Sequence, residues 1–411
     1  MAAAAPDRYS NWMTDEQHSI ETSVLIVGAG PYALSLAAHL RARGVAHQTI
    51  GRCMDAWTAH MPEAMVLKSE AFASDLFAPG KGYTLAEYCR EQRLPYQPIG
   101  LPVQRSIFAA YGRAFRQRFV PSLIEEHVTR IERAAPGFRA TTESGRIILA
   151  QRVVLAVGLH PFPSMPHPMQ HLPAKLASHS FDYGDVSHFR DRRVMVWGAG
   201  ASAINLAIDL KDHGAEVTVL ARADHIVFHD APIVRRPLLE RVKNPRSALG
   251  LGWRSWLAAE LPLVFHALPE RLRHRVVARH LGPAPNWTTR PDFEGRIPAL
   301  LGCQVDSMTE RDGAVEILYR DASGAERVVR FDHVIAATGF QPRLDRLSFL
   351  DPQLAASIAT ESGSPRMGRN FESSVPGLFM VGLAAANSFG PLFRFACGAK
   401  FAARRLSAHL A

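Results

Sequence analysis

The chain has 411 residues, of which 47% are apolar and 21% charged, and a formal net charge of +9. That is enough chain to bury cores for two or three domains, and the composition excludes a disordered or fibrous protein. No apolar run approaches the roughly 18 residues of a membrane-crossing helix, and the scattered Lys and Arg residues are a weak pointer to nucleic acid, so neither a membrane span nor a nucleic-acid partner is expected.

Residues 1–21 open on an alanine run followed by Asp7, Arg8, Asp15 and Glu16. They lack the basic, apolar and small-residue order of a secretory leader and read as a flexible tail on a cytoplasmic protein. The first strong element is the apolar run Ser23–Val27, followed at once by Gly28-Ala29-Gly30-Pro31-Tyr32-Ala33. A helical pattern through Leu34, Leu36 and Leu40 stops at Gly44, and His47–Ile50 reads as a second strand, which completes a β-α-β unit. Helices are expected near Leu85–Arg93 and Ile107–Phe119, and strands at Val128–Arg133, Phe138–Thr142 and Ile147–Leu149. The run Val153–Val157 is a buried strand ending in Gly158. Pro161, Pro163, Pro166, Pro168 and Pro173 then mark a linker.

The opening then returns. The strand Arg193–Trp197 leads into Gly198-Ala199-Gly200-Ala201-Ser202-Ala203, a helix from Ile204 to His213 and a strand Glu216–Leu220 that ends near Arg222. The two copies lie 198 − 28 = 170 residues apart, a duplicated unit rather than a short repeat. Residues 223–300 break the pattern with helical spacing near Leu257–Leu272; they read either as a cap over a cleft or as amphipathic helices packing their own core. Strands resume at Ala314–Tyr319 and Glu326–Phe331, followed by Asp332 to Phe340, a strand Gly377–Gly382 and a helix Phe395–His409. The expected fold is α/β: two Rossmann-like three-layer dinucleotide-binding domains, the second inserted into the first. The expected domains are residues 22–165 and 331–411 for the first, and 175–330 for the second, with a helical insertion at 223–300.

Each glycine turn suits a pyrophosphate. Gly28 permits the sharp strand-to-helix turn, Gly30 lets backbone approach phosphate, and Ala33 lets the helix lie on the sheet. Gly198, Gly200 and Ala203 repeat these roles. Arg222 stands where a 2′-phosphate partner is expected and favours NADPH over NADH, the alternative being a solvated surface Arg. The first unit offers Ile50-Gly51-Arg52 at that place, with no acid for an FAD ribose. Cys53, Cys89, Cys303 and Cys397 form no C-x-x-C pair, and the 18 histidines form no H-E-x-x-H pattern, so neither a redox dithiol nor a metal is expected.

These motifs resemble the group B flavin monooxygenases, which include the flavin-containing monooxygenases and the amine N-hydroxylases. The resemblance rests on the order of the two glycine turns, on His179-Ser180-Phe181-Asp182-Tyr183 upstream of the second, and on Asp332 followed by Ala337-Thr338-Gly339-Phe340. It departs at Pro173 and Lys175, where the fingerprint has Phe and Gly, and at Tyr183, which disfavours ketone oxidation. The resemblance implies an enzyme in which NADPH reduces FAD and a C4a-(hydro)peroxyflavin delivers one oxygen atom of O₂ to the nitrogen or sulfur of a small-molecule substrate. Family habit adds a homodimer. The competing reading is an NADPH–flavin reductase that passes electrons on without oxygenation; a non-catalytic redox sensor is a third.

Cofactor contacts are expected from Gly28, Gly30, Pro31, Ala33, Arg52, Trp57, Met65, Val128, Gly158, Gly198, Gly200, Ser202, Ala203, Arg222, Thr338, Gly339, Gly382, Phe389 and Pro391. Phe389-Gly390-Pro391 either closes over the flavin or forms a turn into the last helix. The chemistry is expected to be borne by the flavin. Asp75 (where relatives carry an Asn), His179 and Tyr183 are the candidate catalytic side chains, the last two reading alternatively as hinge or packing residues.

Overall fold

The computed structural model describes residues 19–80, 82–280, 282 and 284–411. The tail expected over 1–21 lies outside the described residues as far as residue 18, and Ser19–Glu21 already belong to the first strand. In chain order the first domain is built from β1 (Ser19–Val27), α1 (Pro31–Ala42), β2 (His47–Ile50), α2 (Asp55–Thr58), α3 (Leu85–Glu91), α4 (Arg105–Phe119), β3 (Val128–Ala134), β4 (Gly137–Thr142) and β5 (Ile147–Leu155). The second contains β6 (Ala177–His179), β7 (Arg193–Trp197), α5 (Ala201–Asp212) and β8 (Glu216–Leu220). The insertion follows with α6 (Leu238–Lys243), the small hairpin β9 (Arg246–Ser247) and β10 (Gly250–Leu251), α7 (Trp253–Glu260), α8 (Pro262–His266) and α9 (Glu270–Arg279). The second domain resumes with β11 (Ala299–Leu300), β12 (Gln304–Arg311), β13 (Ala314–Arg320), β14 (Glu326–Phe331) and β15 (His333–Ala336).

The first sheet runs β2-β1-β5-β4-β3. Strand β5 is one continuous element, not two. Its first half pairs antiparallel with β4, and its second half pairs parallel with the late strand Leu378–Met380. The chain therefore returns to the first sheet after completing the second. Val24, Leu25, Ile26, Val153 and Val154 are all fully buried, which is why these strands are continuous apolar runs covered on both faces.

The second sheet is parallel and runs β11-β8-β7-β15-β6. This corrects the boundary expected at 330/331: β15 belongs to the second sheet, not to the returning first domain. All four residues of β15 are buried, and the strand pairs with β6 on one side and β7 on the other. The Asp332 carboxylate adds a contact at the start of β7, accepting from the Arg193 backbone at 2.9 Å and from the Arg193 guanidinium at 2.8 Å. An antiparallel sheet, β12-β13-β14, supports this domain.

The helical stretch expected over Leu257–Leu272 is broken into α7, α8 and α9, because Pro262 begins α8 and Pro269 precedes α9, where a proline is tolerated but cannot continue the preceding helix. The C-terminal helix runs Ala399–Leu410, later than expected, because residues 391–398 form tight turns packed on Tyr32.

Candidate functional site

Two clefts open beyond the C-terminal ends of the parallel strands of the two sheets, the place where open α/β sheets bind ligands. Both are built by the same device. Gly28 has φ +119°, and a methyl group on it would lie 2.3 Å from the Ala156 carbonyl oxygen, so only glycine lets the turn after β1 pass the end of β5. Gly198 has φ +149° and meets the Ala337 carbonyl oxygen beyond β15 in the same way, at 2.5 Å. Gly30, by contrast, faces open space, with no atom within 4 Å of its would-be side chain. Helices α1 and α5 both begin with a glycine at the N-cap, no side-chain cap and no acidic residue in the first turn. Each thus presents uncapped backbone N–H groups and a positive dipole end to its cleft, which fits a pyrophosphate.

The first cleft, about 590 Å³, is lined by Gly28, Gly30, Pro31, Arg52, Trp57, Met65, Val128, Gly158 and Gly382. The second, about 1300 Å³, is lined by Gly198, Gly200, Ser202, Arg222, Thr338 and Gly339, and by His229, His274 and Val277 of the insertion. Ser202, Leu383 and Arg394 line both, so the two clefts meet.

Four of the expected cofactor contacts lie elsewhere. Ala33 and Ala203 are fully buried beneath their helices, where they let helix and sheet approach. Phe389 is buried in an aromatic cluster, 4.2 Å from the Phe371 ring and 4.7 Å from the His266 ring, and Pro391 is buried beside it. That segment is therefore a packed turn and not a cover over the first cleft. The apolar cluster draws both side chains inward.

None of the candidate catalytic side chains reaches either cleft. The Asp75 carboxylate turns inward and accepts from the Leu85 backbone at 2.7 Å, at the start of α3; burial pushes its pKa up to about 6. His179 is buried, and burial lowers its pKa. Its Nδ1 accepts from the Phe181 backbone at 3.1 Å, so its Nε2 carries the proton and donates to the Gly339 carbonyl at 3.1 Å. Tyr183 packs on Phe189, with ring centroids 5.2 Å apart, and its hydroxyl lies 3.4 Å from His333 Nε2. His179 therefore positions the backbone of the second cleft, and Tyr183 packs the second domain.

Several lining residues had no signal in the sequence. Lys68 reaches the first cleft and donates to the Gly282 carbonyl at 2.6 Å; burial, then the neighbouring Arg394, lowers its pKa to about 8. Arg394 donates to the Val277 carbonyl at 3.2 Å, tying the insertion to the junction of the clefts. Glu126 places an acid in the first cleft beside the end of β2. Ile124 bridges to Ile50, its carbonyl accepts from Gly51 at 2.9 Å, and two residues later Glu126 enters the first cleft. Ser144, donating to it at 2.6 Å, is the leading cause that holds its carboxyl below the usual range. At the crossover between domains, Asp55 accepts from His160 at 3.0 Å and lies 3.4 Å from His60, whose ring stacks on Phe181.

Two nucleotide cradles that meet at a shared junction define a two-dinucleotide oxidoreductase fold. The sequence profile of the pyridine nucleotide-disulphide oxidoreductase family matches residues 25–246. The chain belongs to that family. It is 27% identical over 210 residues to the indole-3-pyruvate monooxygenase YUCCA1 of Oryza sativa subsp. japonica, covering 48% of this chain and 47% of the relative. It is 26% identical over 243 residues to a ferredoxin–NADP reductase of Nitrobacter hamburgensis, covering 57% of this chain and 61% of the reductase. The matches thus span about half the length of these curated relatives. In fold it is similar to the reduced form of ornithine hydroxylase from Pseudomonas aeruginosa, with a TM-score of 0.74 at 19% identity over 95% of this chain and 99% of the other.

Proposed function

We propose that the chain is a cytoplasmic monooxygenase that uses FAD, reduced by NADPH, to insert one oxygen atom of O₂ into a small molecule at nitrogen or sulfur. The observation that carries this reading is the junction. The two clefts merge at Ser202, Leu383 and Arg394, and no cysteine lines either cleft among the described residues. A disulfide reductase needs a thiol pair there; an oxygenase does not.

In this reading the first cleft is the FAD site and the second the NADPH site. The first domain comprises residues 22–165 and the returning C-terminal part; the second runs from 175 to the end of β15, with the insertion at 223–300. The turn at Gly28 and Gly30 and the start of α1 hold the FAD pyrophosphate, and Glu126 holds its ribose. The turn at Gly198 and Gly200 and the start of α5 hold the NADPH pyrophosphate, with Arg222 on the 2′-phosphate. Bound FAD supplies hydride acceptance and oxygen activation. The volume of the second cleft, about 1300 Å³, exceeds the roughly 300–1,000 Å³ of an ordinary ligand pocket and leaves room for a substrate against His229, His274 and Val277. Buried Leu383 at the junction and Phe393 in the first cleft present apolar surface that keeps water out.

The test is NADPH-dependent O₂ uptake with a panel of primary amines and thioethers, with product analysis. A hydroxylamine or sulfoxide formed in step with NADPH consumption is expected. Fast reduction of an artificial acceptor with no oxygenated product would establish the reductase reading in its place.

A further inference from the structure

The large apolar side chains that the fold leaves in water are concentrated on the insertion. Of thirteen among the described residues, all but Val328 fall between Val227 and Leu272. Leu238, Leu239 and Val242 of α6 are 76%, 77% and 67% exposed. Trp253 and Leu257 of α7 and Val264 of α8 continue the face at near-helical spacing, while Ser255, Ala258 and Ala259 are buried on the other side. Helices α7 and α8 thus have one face buried and a second apolar face in water, and α6 adds its exposed Leu238, Leu239 and Val242 with no buried face of its own. The elements are tied together: α7 packs against the β9–β10 hairpin and α8, and Arg246 of β9 donates to the Ile233 carbonyl in the segment leading into α6.

The same stretch carries most of the molecule's net charge. Residues 233–279 hold ten Lys and Arg against three Asp and Glu, seven of the net +9 of the chain. Arg235, Arg241, Lys243 and Arg254 are exposed and form no ion pair among the described residues. An apolar face of Leu, Val, Ile and Trp set among unpaired basic residues has the chemistry of the boundary between acyl chains and anionic headgroups. No described helix is long and apolar enough to cross a membrane, so the contact is peripheral.

We propose that the face formed by α6, α7 and α8 docks this protein onto an anionic lipid bilayer. A second copy of the chain is disfavoured as the occupant, because the same face on both partners would bring two strongly positive surfaces together. A protein partner is disfavoured by composition: energetic anchors at protein interfaces are enriched in Trp, Tyr and Arg and poor in Leu and Val, whereas Leu and Val dominate here. The inference does not depend on the oxygenase reading.

The test uses the full chain purified with its flavin. Co-sedimentation is measured with vesicles of phosphatidylcholine alone and of phosphatidylcholine with phosphatidylglycerol. Binding is expected only when phosphatidylglycerol is present and should weaken as salt is raised. Leu238→Glu with Leu239→Glu should lower partitioning by about tenfold or more, and Arg241→Glu with Arg254→Glu should weaken it while leaving the apolar face intact. An unchanged flavin absorption spectrum shows that each variant is folded. Absence of binding to either vesicle, or binding indifferent to both double substitutions, overturns the proposal. So does light scattering that shows a dimer dissolved by Leu238→Glu, because the face would then be covered by a second copy.

Discussion

The imidazole of His179 donates from Nε2 to the carbonyl oxygen of Gly339, 160 residues further along the chain, at 3.1 Å. His179 ends β6 and Gly339 follows β15, so the bond ties together two neighbouring strand ends at the mouth of the second cleft. The histidine itself does not face that cleft.

Removing this bond should loosen the Thr338-Gly339 backbone and leave the first cleft untouched. His179→Ala is expected to raise KM for NADPH about fivefold, the equivalent of one ordinary hydrogen bond, with kcat nearly unchanged and FAD retained. Steady-state kinetics with the flavin spectrum recorded alongside would settle it. Loss of flavin, or a fall in kcat with constant KM, would contradict a positioning role.

The two glycines of the first turn should fail differently. Gly28→Ala forces a methyl to within 2.3 Å of a carbonyl oxygen at positive φ, and it should destabilise the first domain outright. Gly30→Ala meets no protein atom within 4 Å, so the variant should fold with near-wild-type circular dichroism and yet bind FAD poorly. Should Gly30→Ala hold FAD as tightly as the parent, the pyrophosphate is not cradled there.

Arg222→Ala is expected to narrow the preference for NADPH over NADH by about tenfold or more, the scale of one charge-assisted hydrogen bond to phosphate. Comparison of kcat/KM for the two nucleotides gives the answer. Equal use of NADH by the unmodified protein would already refute the assignment.

Glu126 is the acid proposed to hold the FAD ribose in place of one at the end of β2. Glu126→Gln should weaken FAD, raising its dissociation constant about tenfold, as measured by fluorescence titration of the apoprotein. NADPH affinity should not change, since Glu126 lines only the first cleft.

Asp75 sets a pH dependence. Burial raises its pKa to about 6 from an ordinary 3.8. The folded state therefore holds the proton more tightly than the unfolded chain, and stability falls as pH rises from about 4 through about 6. The term is at most about 3 kcal/mol, from about two pKa units. Asp75→Asn keeps an acceptor for the Leu85 backbone, so the variant should gain thermal stability relative to the parent at pH 7 and lose that advantage at pH 4. Parallel melting curves across this range that never converge would exclude Asp75 as the source.

By itself the sequence determined the two cradles. Gly28 and Gly198 are required by local backbone geometry, each lies between an apolar strand and a helix, and both signals are complete within about 30 residues. Arg222 was legible for the same reason. Only tertiary structure decided what meets what. Glu126 reaches the first cleft through the pairing of Ile124 with Ile50, and Arg394 reaches the junction through turns packed on Tyr32; neither carries a periodic or motif signal. Asp75 and Phe389 lie near the cradles in sequence logic but turn away from them, Asp75 toward the Leu85 backbone at the start of α3 and Phe389 into an aromatic cluster with Phe371 and His266. Strand β15 joined the second sheet because its buried residues pair with β6 and β7, strands about 140 to 160 residues earlier that no local pattern connects to it. Local rules thus fix backbone conformation, whereas side-chain company depends on which distant segments the burial of apolar surface brings together.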